Sequence, residues 1–295
     1  MSRTPEPIPD PILSRAQVPP ANGRPVRKDE IELAERGVYI ESWLPERRSR
    51  RKPLLFVHGE LAGSWVWERY LGYFAGRGWE GHAVNLRNHF WSQTADPAEL
   101  SFETYTEDVV AALDRLGPAT VAVGHGMGGL LVMKAAERVA IGGLVLLSSE
   151  LPRDLRVPAR PHELRAIPEA YGRSAIGWET LPERLQRDDR DLTIADVLRI
   201  QHLLGQKAHE AGAARRQMLA GVSVDRRVFT EVPRLVIGGG LDRLVPLDDA
   251  ERLAEWLDAE FEPFGAHSHF GLVAGESSHQ QVAEAIRAFL EMHRL

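Results

Sequence analysis

The chain has 295 residues, of which 43% are hydrophobic and 26% are charged, and it contains no cysteine. The lack of cysteine excludes disulfides, thiolate metal sites, iron–sulfur clusters and cysteine nucleophiles. The formal net charge is -6, so the chain lacks the basic surface that nucleic-acid binding requires. These features predict a globular protein that does not bind nucleic acid.

Residues 1–29 are rich in proline and charge, and they predict a solvated Pro-rich N-terminal arm. The N-terminus lacks the apolar core of a signal peptide. No run approaches the roughly 18 consecutive apolar residues that a membrane span needs. We therefore expect a cytoplasmic protein that does not contact a membrane.

After the arm, short apolar runs alternate with segments of helical periodicity. In chain order, the pattern predicts strand 38–44, strand 53–57, helix 65–77, strand 81–86, helix 101–116, strand 121–123, helix 127–139 and strand 143–147. The alternation lapses over residues 151–231. It resumes with strand 234–237, helix 247–257, strand 261–264 and helix 278–292.

Alternating strands and helices predict an α/β fold with a mostly parallel central sheet flanked by helices. The polar, helical stretch at 151–231 predicts a helical cap inserted into a core formed by 30–150 and 232–295. Ligands of such sheets bind at the carboxyl ends of the strands. Functional residues should therefore follow directly after strands.

Four segments that follow predicted strands carry chemically useful residues. They are HGELAGSW at 58–65, GHGMGG at 124–129, LDRLVP at 241–246 and GAHSHF at 265–270. In this order they resemble the oxyanion loop, nucleophile elbow, acid loop and histidine loop of the α/β-hydrolase superfamily. The chain is most similar to the capped branch of esterases, lactonases and carbon–carbon hydrolases. The resemblance covers about residues 37–295 and implies the α/β-hydrolase fold, a small-molecule substrate and no cofactor.

The elbow departs from the family pattern at the residue that matters most for mechanism. The family has G-x-S-x-G, with an exposed serine on a sharp strand-to-helix turn, whereas Gly126 stands at the serine position here. No side chain at that position can form a covalent intermediate. Ser64 and Ser268 are nearby in the motifs, but neither lies on the elbow.

The resemblance implies that the backbone N–H groups of Met127 and Glu60 form an oxyanion hole. Such donors do not depend on the side chain, so the hole could work without a serine. We expect the Glu60 side chain to face solvent. The alternative is an acid or base directed into the pocket.

The resemblance also assigns Asp242 as the acid that orients a catalytic histidine. That histidine is either His269 or His267, and the run that begins at residue 269 matches the family better. His125 is expected to pack beside the elbow, and His58 to brace the oxyanion loop.

The pocket should be lined in part by aromatic residues. We expect His125, Ser64 and Trp65 to contribute to substrate binding. Trp67, Trp91 and Trp178 are further candidates for the lining.

Two other site chemistries compete with this interpretation. Gly124, Gly126 and Gly129 spell G-x-G-x-x-G between a strand and a helix, and Glu150 follows near the end of the next strand, which is the dinucleotide-binding pattern. His267-x-His269 could chelate a metal ion, but the chain lacks the clustered ligands of metallohydrolases.

The favoured hypothesis is an enzyme for a small ester-, lactone- or ketone-like substrate that uses a His–Asp pair with a backbone oxyanion hole. The same histidine could instead serve a lyase or cyclase. The alternatives are a serine esterase inactivated at Gly126 and a non-catalytic ligand-binding homologue.

Overall fold

A computed structural model describes residues 26–47, 49–206 and 209–295. Most of the predicted arm, 1–25, lies outside the described residues. The last residues of the predicted arm belong instead to strand β1 (Val26–Leu33), so this end of the arm prediction is wrong. Five of the eight residues of β1 are exposed, and such a strand shows little of the apolar alternation by which strands are recognised.

Among the described residues, eight strands form the central sheet. After β1 they are β2 (Val38–Pro45), β3 (Leu54–Val57), β4 (Gly81–Asn85), β5 (Val121–His125), β6 (Gly143–Leu147), β9 (Arg234–Gly239) and β10 (Glu260–Phe264). Their order across the sheet is β1-β2-β4-β3-β5-β6-β9-β10. Strand β2 is antiparallel to both of its neighbours. The other six strands of this sheet, from β4 across β3, β5, β6 and β9 to β10, run parallel to one another. The predicted mostly parallel α/β sheet is confirmed.

The sheet separates two hydrophobic cores. Successive residues of a strand point to opposite faces, so Leu54 and Phe56 enter one core while Leu55 and Val57 enter the other. Helices α1 (Glu68–Ala75) and α9 (Ser278–Met292) cover the first face. Helices α2 (Phe102–Leu116), α3 (Met127–Ala135) and α8 (Leu247–Leu257) cover the second. A strand buried on both faces reads as a continuous apolar run, which is how β3 appears in the sequence.

The predicted helical cap, residues 151–231, lies between β6 and β9, and we call these residues the insertion. Their described residues contain four α-helices and a two-stranded antiparallel sheet in which Tyr171 pairs with Glu210. In chain order the elements are α4 (Pro161–Ala166), β7 (Ala170–Tyr171), α5 (Pro182–Asp188), α6 (Ile194–Leu203), β8 (Glu210–Ala211) and α7 (Gly212–Ala220).

Most predicted elements of the core appear within a few residues of their predicted ends. The helix predicted at 101–116 is α2, and the Ser101 hydroxyl accepts the Thr104 N–H at its start while Gly117, with φ 96°, follows its end. The helix predicted at 65–77 is shorter than expected, because Ser64–Trp67 form a 3-10 turn before α1 begins. No helix among the described residues has the length and apolar character needed to cross a membrane.

The aromatic cluster around Phe56 should be a major source of stability. Its ring lies 5.1 Å from that of Trp67 and 6.1 Å from that of Phe74, and its side chain is fully buried. We expect Phe56→Ala to lower the free energy of unfolding by about 3–5 kcal/mol, because it removes apolar contacts and leaves a cavity. Urea unfolding measures this, with the exposed Met292→Ala as a control that should change stability by less than about 0.5 kcal/mol. A loss at Phe56 no larger than the control's would contradict this account of the core.

Candidate active site

The turn between β5 and α3 brings three loops together. Gly126 occupies it with φ 54° and ψ -125°, a conformation that side-chain-bearing residues rarely adopt. A Cβ atom built on Gly126 would lie 3.4 Å from Nε2 of His269 and 3.7 Å from Cα of Gly59. The elbow, the oxyanion loop and the histidine loop therefore meet at residue 126.

His269 and Asp242 form a hydrogen-bonded pair at the carboxyl end of the sheet. Nδ1 of His269 lies 2.8 Å from Oδ2 of Asp242. The other carboxylate oxygen accepts the N–H groups of Leu244 and Val245, each at 2.8 Å. These bonds hold the carboxylate in place and leave Nε2 of His269 directed toward residue 126.

The interaction between His269 and Asp242 shifts the pKa of each residue in the direction that favours an ion pair. Burial alone would lower the pKa of His269, but the Asp242 carboxylate raises it above the usual value. Burial alone would raise the pKa of Asp242, but His269 and the hydrogen bonds that the Asp242 carboxylate accepts lower this pKa. The carboxylate is therefore ionised near neutral pH, and it keeps the imidazole proton on Nδ1.

His125 lies beside the pair, where the family resemblance placed it. Its ring centroid is 4.2 Å from that of His269, and its Nε2 lies 3.1 Å from the His269 carbonyl oxygen. Burial, followed by the charge of His269, lowers the pKa of His125 well below its usual value. His125 is thus neutral, and its Nε2–H donates to the backbone of the histidine loop.

His58 fixes the oxyanion loop through its two ring nitrogens. Nδ1 lies 2.8 Å from the Gly59 carbonyl oxygen, and Nε2 accepts the Leu86 N–H at 3.2 Å. Burial lowers the pKa of His58 to about 3, so the ring is neutral and Nδ1 donates. Because a trans peptide points its C=O and N–H in opposite directions, the Glu60 N–H points away from His58.

The N–H groups of Glu60 and Met127 are available to a ligand. Neither donates a hydrogen bond within the described part of the chain. The Met127 N–H lies in the first turn of α3, where the helix dipole favours negative charge. The two groups match the oxyanion-hole donors implied by the resemblance.

The Glu60 side chain does not face solvent, and that expectation is wrong. Its Oε1 accepts a hydrogen bond from Nη1 of Arg215 at 2.7 Å and another from the Tyr171 hydroxyl. Burial raises the pKa of Glu60, while the charge of Arg215 opposes the rise. Both partners belong to the insertion, 111 and 155 residues away along the chain.

A cavity of about 330 Å³ opens over residue 126. Its floor comprises the elbow, His125, His269 and the oxyanion loop. Its walls combine apolar side chains with three carboxylates, each ion-paired to an arginine. The apolar residues include Leu151, Leu155, Ile176 and Leu219, and the ion pairs are Glu60–Arg215, Glu150–Arg156 and Asp249–Arg252.

Ser64 and Trp65 do not line this cavity, contrary to expectation. The Ser64 hydroxyl donates to the Glu41 carboxylate at 2.7 Å. The Trp65 side chain is buried in the core beside α1. The 3-10 turn at Ser64–Trp67 directs these residues into the protein.

The other tryptophan candidates are also outside the cavity lining. Trp67 packs on Phe56 in the core, and Trp91 is half exposed. Trp178 is buried against Phe270, with ring centroids 4.7 Å apart. Phe270 is the aromatic residue that does reach the cavity.

His267 and Ser268 are turned away from residue 126. Nε2 of His267 lies 3.1 Å from the Ser278 carbonyl oxygen, and the buried Ser268 hydroxyl accepts the Gly271 N–H at 3.2 Å. His267 and His269 therefore do not converge on one point. The described residues contain no group of three or more His, Asp or Glu side chains placed to hold a metal ion.

The dinucleotide-like glycines have a packing explanation. A Cβ atom on Gly124 would come within 2.5 Å of Cα of Gly129, so these residues allow β5 and α3 to approach closely. Glu150, the acid expected on a ribose, is ion-paired with Arg156. Packing alone accounts for the glycines, and the ion pair of Glu150 argues against a contact with a ribose.

Sequence reasoning missed Tyr171 and Arg215. Both lie in the insertion, where no motif marks them and where contacts to the oxyanion loop depend on how the insertion folds back. A buried acid in the oxyanion loop requires a partner, so Glu60 itself was the available signal.

Comparisons with known proteins agree with this architecture. The model of the alpha/beta hydrolase family matches residues 54–285. Esterase PIR7B of Oryza sativa subsp. japonica is 30% identical over 133 residues, which are 41% of this chain and 48% of the rice protein. The match thus spans about half the length of that relative.

Two solved structures resemble the chain over most of its length. A malate-bound thermophilic esterase from Thermogutta terrifontis has a TM-score of 0.68 and 19% identity, covering 91% of this chain and 100% of that one. MenH from S. aureus has a TM-score of 0.67 and 18% identity, covering 87% of this chain and 99% of that one. At these identities the likeness shows a shared fold.

The Asp242 carboxylate should control the titration of His269. We expect Asp242→Asn to lower the pKa of His269, because the neutral amide no longer stabilises the imidazolium. NMR titration of the imidazole signals measures the shift, with the exposed Asp248→Asn as the control. An unchanged His269 pKa in Asp242→Asn would contradict the pairing.

Proposed function

Because the chain belongs to the alpha/beta hydrolase family, we propose that it hydrolyses small carboxylic esters or lactones without a serine nucleophile. One observation carries the proposal. Nε2 of His269 lies 3.4 Å from the point that a Cβ atom of residue 126 would occupy. With glycine at this position, a water molecule takes the place of a serine hydroxyl within reach of the imidazole.

In the proposed first step, His269 acts as a general base. Neutral Nε2 takes a proton from water while the water oxygen forms a bond to the substrate carbonyl carbon. The imidazolium that forms is stabilised by Asp242 through the Nδ1–Oδ2 hydrogen bond of 2.8 Å. General base catalysis of this kind contributes roughly 10²- to 10⁴-fold in rate.

The carbonyl oxygen gains negative charge in this step. It accepts hydrogen bonds from the Glu60 and Met127 N–H groups, which have no other acceptor among the described residues. When the tetrahedral intermediate collapses, the bond to the leaving oxygen breaks, and that oxygen takes the proton from Nε2 of His269. The products are an alcohol and a carboxylic acid, and the histidine returns to its neutral form.

The cavity supports a small substrate with both apolar and polar parts. Its volume of about 330 Å³ lies at the lower end of small-molecule sites. The rice relative is named an esterase, and the Thermogutta terrifontis structure is also of an esterase, which supports an ester over a ketone-like substrate.

Side-by-side turnover of p-nitrophenyl acetate and butyrate tests the proposal. We expect the unaltered chain to hydrolyse at least one ester slowly, and His269→Ala to reduce its kcat roughly 10²- to 10⁴-fold. The exposed His162→Ala is the control and should retain activity. Loss of activity in His267→Ala, with His269→Ala unaffected, would show that the base is misassigned.

Gly126→Ser separates a water mechanism from a lost serine mechanism. A serine at this position should adopt the backbone conformation of Gly126 at a cost of about 1–3 kcal/mol. It should then form an acyl-enzyme, which is observed as a burst of p-nitrophenol. If only Gly126→Ser were active, the chain would be an inactivated esterase or a ligand-binding homologue, and the water mechanism would be wrong.

The pH profile should report His269. A general base acts in its deprotonated form, so kcat/KM should rise with pH and level off above the His269 pKa. Asp242 raises that pKa, so the midpoint should lie above the about 6.5 of an unperturbed histidine. Steady-state rates across pH, with Asp242→Asn moving the midpoint down, measure this. A rate that falls over the same pH range would exclude His269 as the base.

A further inference from the structure

A second buried carboxylate, Glu210 of β8, joins the insertion to the core. Its Oε2 accepts the Leu61 N–H at 2.9 Å and lies 2.8 Å from Nε2 of His89. Its Oε1 accepts the Tyr105 hydroxyl at 2.7 Å and the Ala211 N–H at 3.0 Å. The side chain is fully buried, and both of its oxygens are fully engaged.

Glu210 is ionised despite its burial. Burial alone would raise its pKa, but His89 and the donated hydrogen bonds lower it to about 2. Burial would likewise lower the pKa of His89, but Glu210 raises it. The result is a buried ion pair whose hydrogen bonds are satisfied, the arrangement in which such pairs are tolerated.

Leu61, the residue after Glu60, is held by the insertion at both of its backbone groups. Its N–H is bound by Glu210, and its carbonyl oxygen accepts the Gly205 N–H at 2.8 Å. Leu61 itself has φ 61°, which is unfavourable for a side-chain-bearing residue and persists only where neighbours enforce it.

The same small sheet also holds Glu60. Tyr171, which donates to the Glu60 carboxylate, is paired with Glu210 across β7 and β8. The side chain of Glu60 and the N–H of the next residue are therefore bound by adjacent residues of one two-stranded sheet.

These contacts determine how the Glu60 N–H is aimed. His58 holds the peptide before Glu60 through the Gly59 carbonyl oxygen. Glu210 holds the peptide after Glu60 through the Leu61 N–H. Because each peptide is planar, fixing both planes fixes the two backbone dihedral angles of Glu60.

We propose that Glu210 is a positioning residue that holds the oxyanion hole in its working geometry from the insertion. It does not touch the substrate. It acts through Leu61 on the Glu60 N–H, so the hole is complete only when the insertion is docked on the core. The inference rests on the proposed hydrolase function, because only there does the direction of the Glu60 N–H affect a rate.

The test uses Glu210→Gln in the full chain that also carries Gly126→Ser. The amide nitrogen of glutamine cannot accept, so the four donors around Glu210 cannot all be satisfied, and the charge that strengthens the Leu61 hydrogen bond is lost. Two properties are measured: the reactivity of the introduced serine, with a p-nitrophenyl alkylphosphonate and with p-nitrophenyl butyrate, and hydrogen exchange over residues 58–62.

Asp108→Asn is the matched control. Asp108 is a buried carboxylate on α2 that accepts the Arg87 N–H at 3.0 Å and Nε of Arg87 at 2.8 Å. The substitution makes the same carboxylate-to-amide change at another buried carboxylate that pairs with a basic side chain. Among the described residues, Asp108 has no hydrogen bond to the oxyanion loop. It therefore reproduces the loss of a buried charge without the loss of positioning.

We expect Glu210→Gln to slow phosphonylation on the order of 10-fold or more, lower kcat for p-nitrophenyl butyrate at similar KM, and speed exchange over 58–62. Asp108→Asn should leave both readouts near those of Gly126→Ser alone.

Equal effects of Glu210→Gln and Asp108→Asn would show a merely structural role and overturn the proposal. If Gly126→Ser does not react and the unaltered chain hydrolyses no ester, the proposed hydrolase function is wrong. In that case hydrogen exchange alone tests the positioning role of Glu210. If Glu210→Gln leaves exchange over residues 58–62 unchanged, that role is wrong as well.

Discussion

The turn at Gly126 is the constraint on which the site depends. Its positive φ leads the chain from a buried strand directly into a buried helix. The Met127 N–H belongs to the first turn of that helix, so it has no intrahelical acceptor, and it has no other partner among the described residues. Glycines two residues before and two residues after it allow the chain segments around the turn to approach closely. A Cβ on Gly128 would lie 2.4 Å from the His58 carbonyl oxygen, and one on Gly124 would lie 2.5 Å from Cα of Gly129. Gly126 thus joins β5 to α3 through a sharp turn with positive φ and carries no side chain there.

Three neighbouring imidazoles illustrate how local surroundings assign different roles to one residue type. His58 and His125 are buried and hydrogen-bond to backbone groups rather than to a carboxylate, and burial lowers the pKa of each, so both are neutral hydrogen-bonding braces. His269 is slightly more exposed than the other two, and Asp242 reverses the direction of its pKa shift. Of the three, the histidine with a carboxylate is the one that can accept and hold a proton, which is the property that a general base needs.

The features predictable from sequence were those set by local patterns. Buried strands such as β3 and the order of the four loops are visible in short stretches, and they were sufficient for the fold and for the expected roles of Asp242 and His269. Strand β1 was missed because most of its side chains are exposed. The direction of Glu60 was predicted wrongly, because it is set by Arg215, 155 residues later. Contacts of that kind depend on how the insertion folds back, and no local pattern carries that information.

The ion pairs around the cavity matter for any reaction that develops negative charge at the oxyanion hole. A carboxylate about 4 Å from a developing oxyanion would oppose it by about 4 kcal/mol at an effective dielectric constant near 20. Glu60 lies in the oxyanion loop itself, so an unpaired carboxylate there would offset much of what two N–H donors contribute. The positive charge of Arg215 and the hydrogen bond from the Tyr171 hydroxyl counter that opposition. In the mechanism that we propose, the insertion supplies both the geometry of the hole, through Glu210, and its electrostatic balance, through Arg215. A substitution that weakens the docking of the insertion should impair both at once, whereas loss of Arg215 alone should leave the backbone of the hole intact and change only its affinity for negative charge.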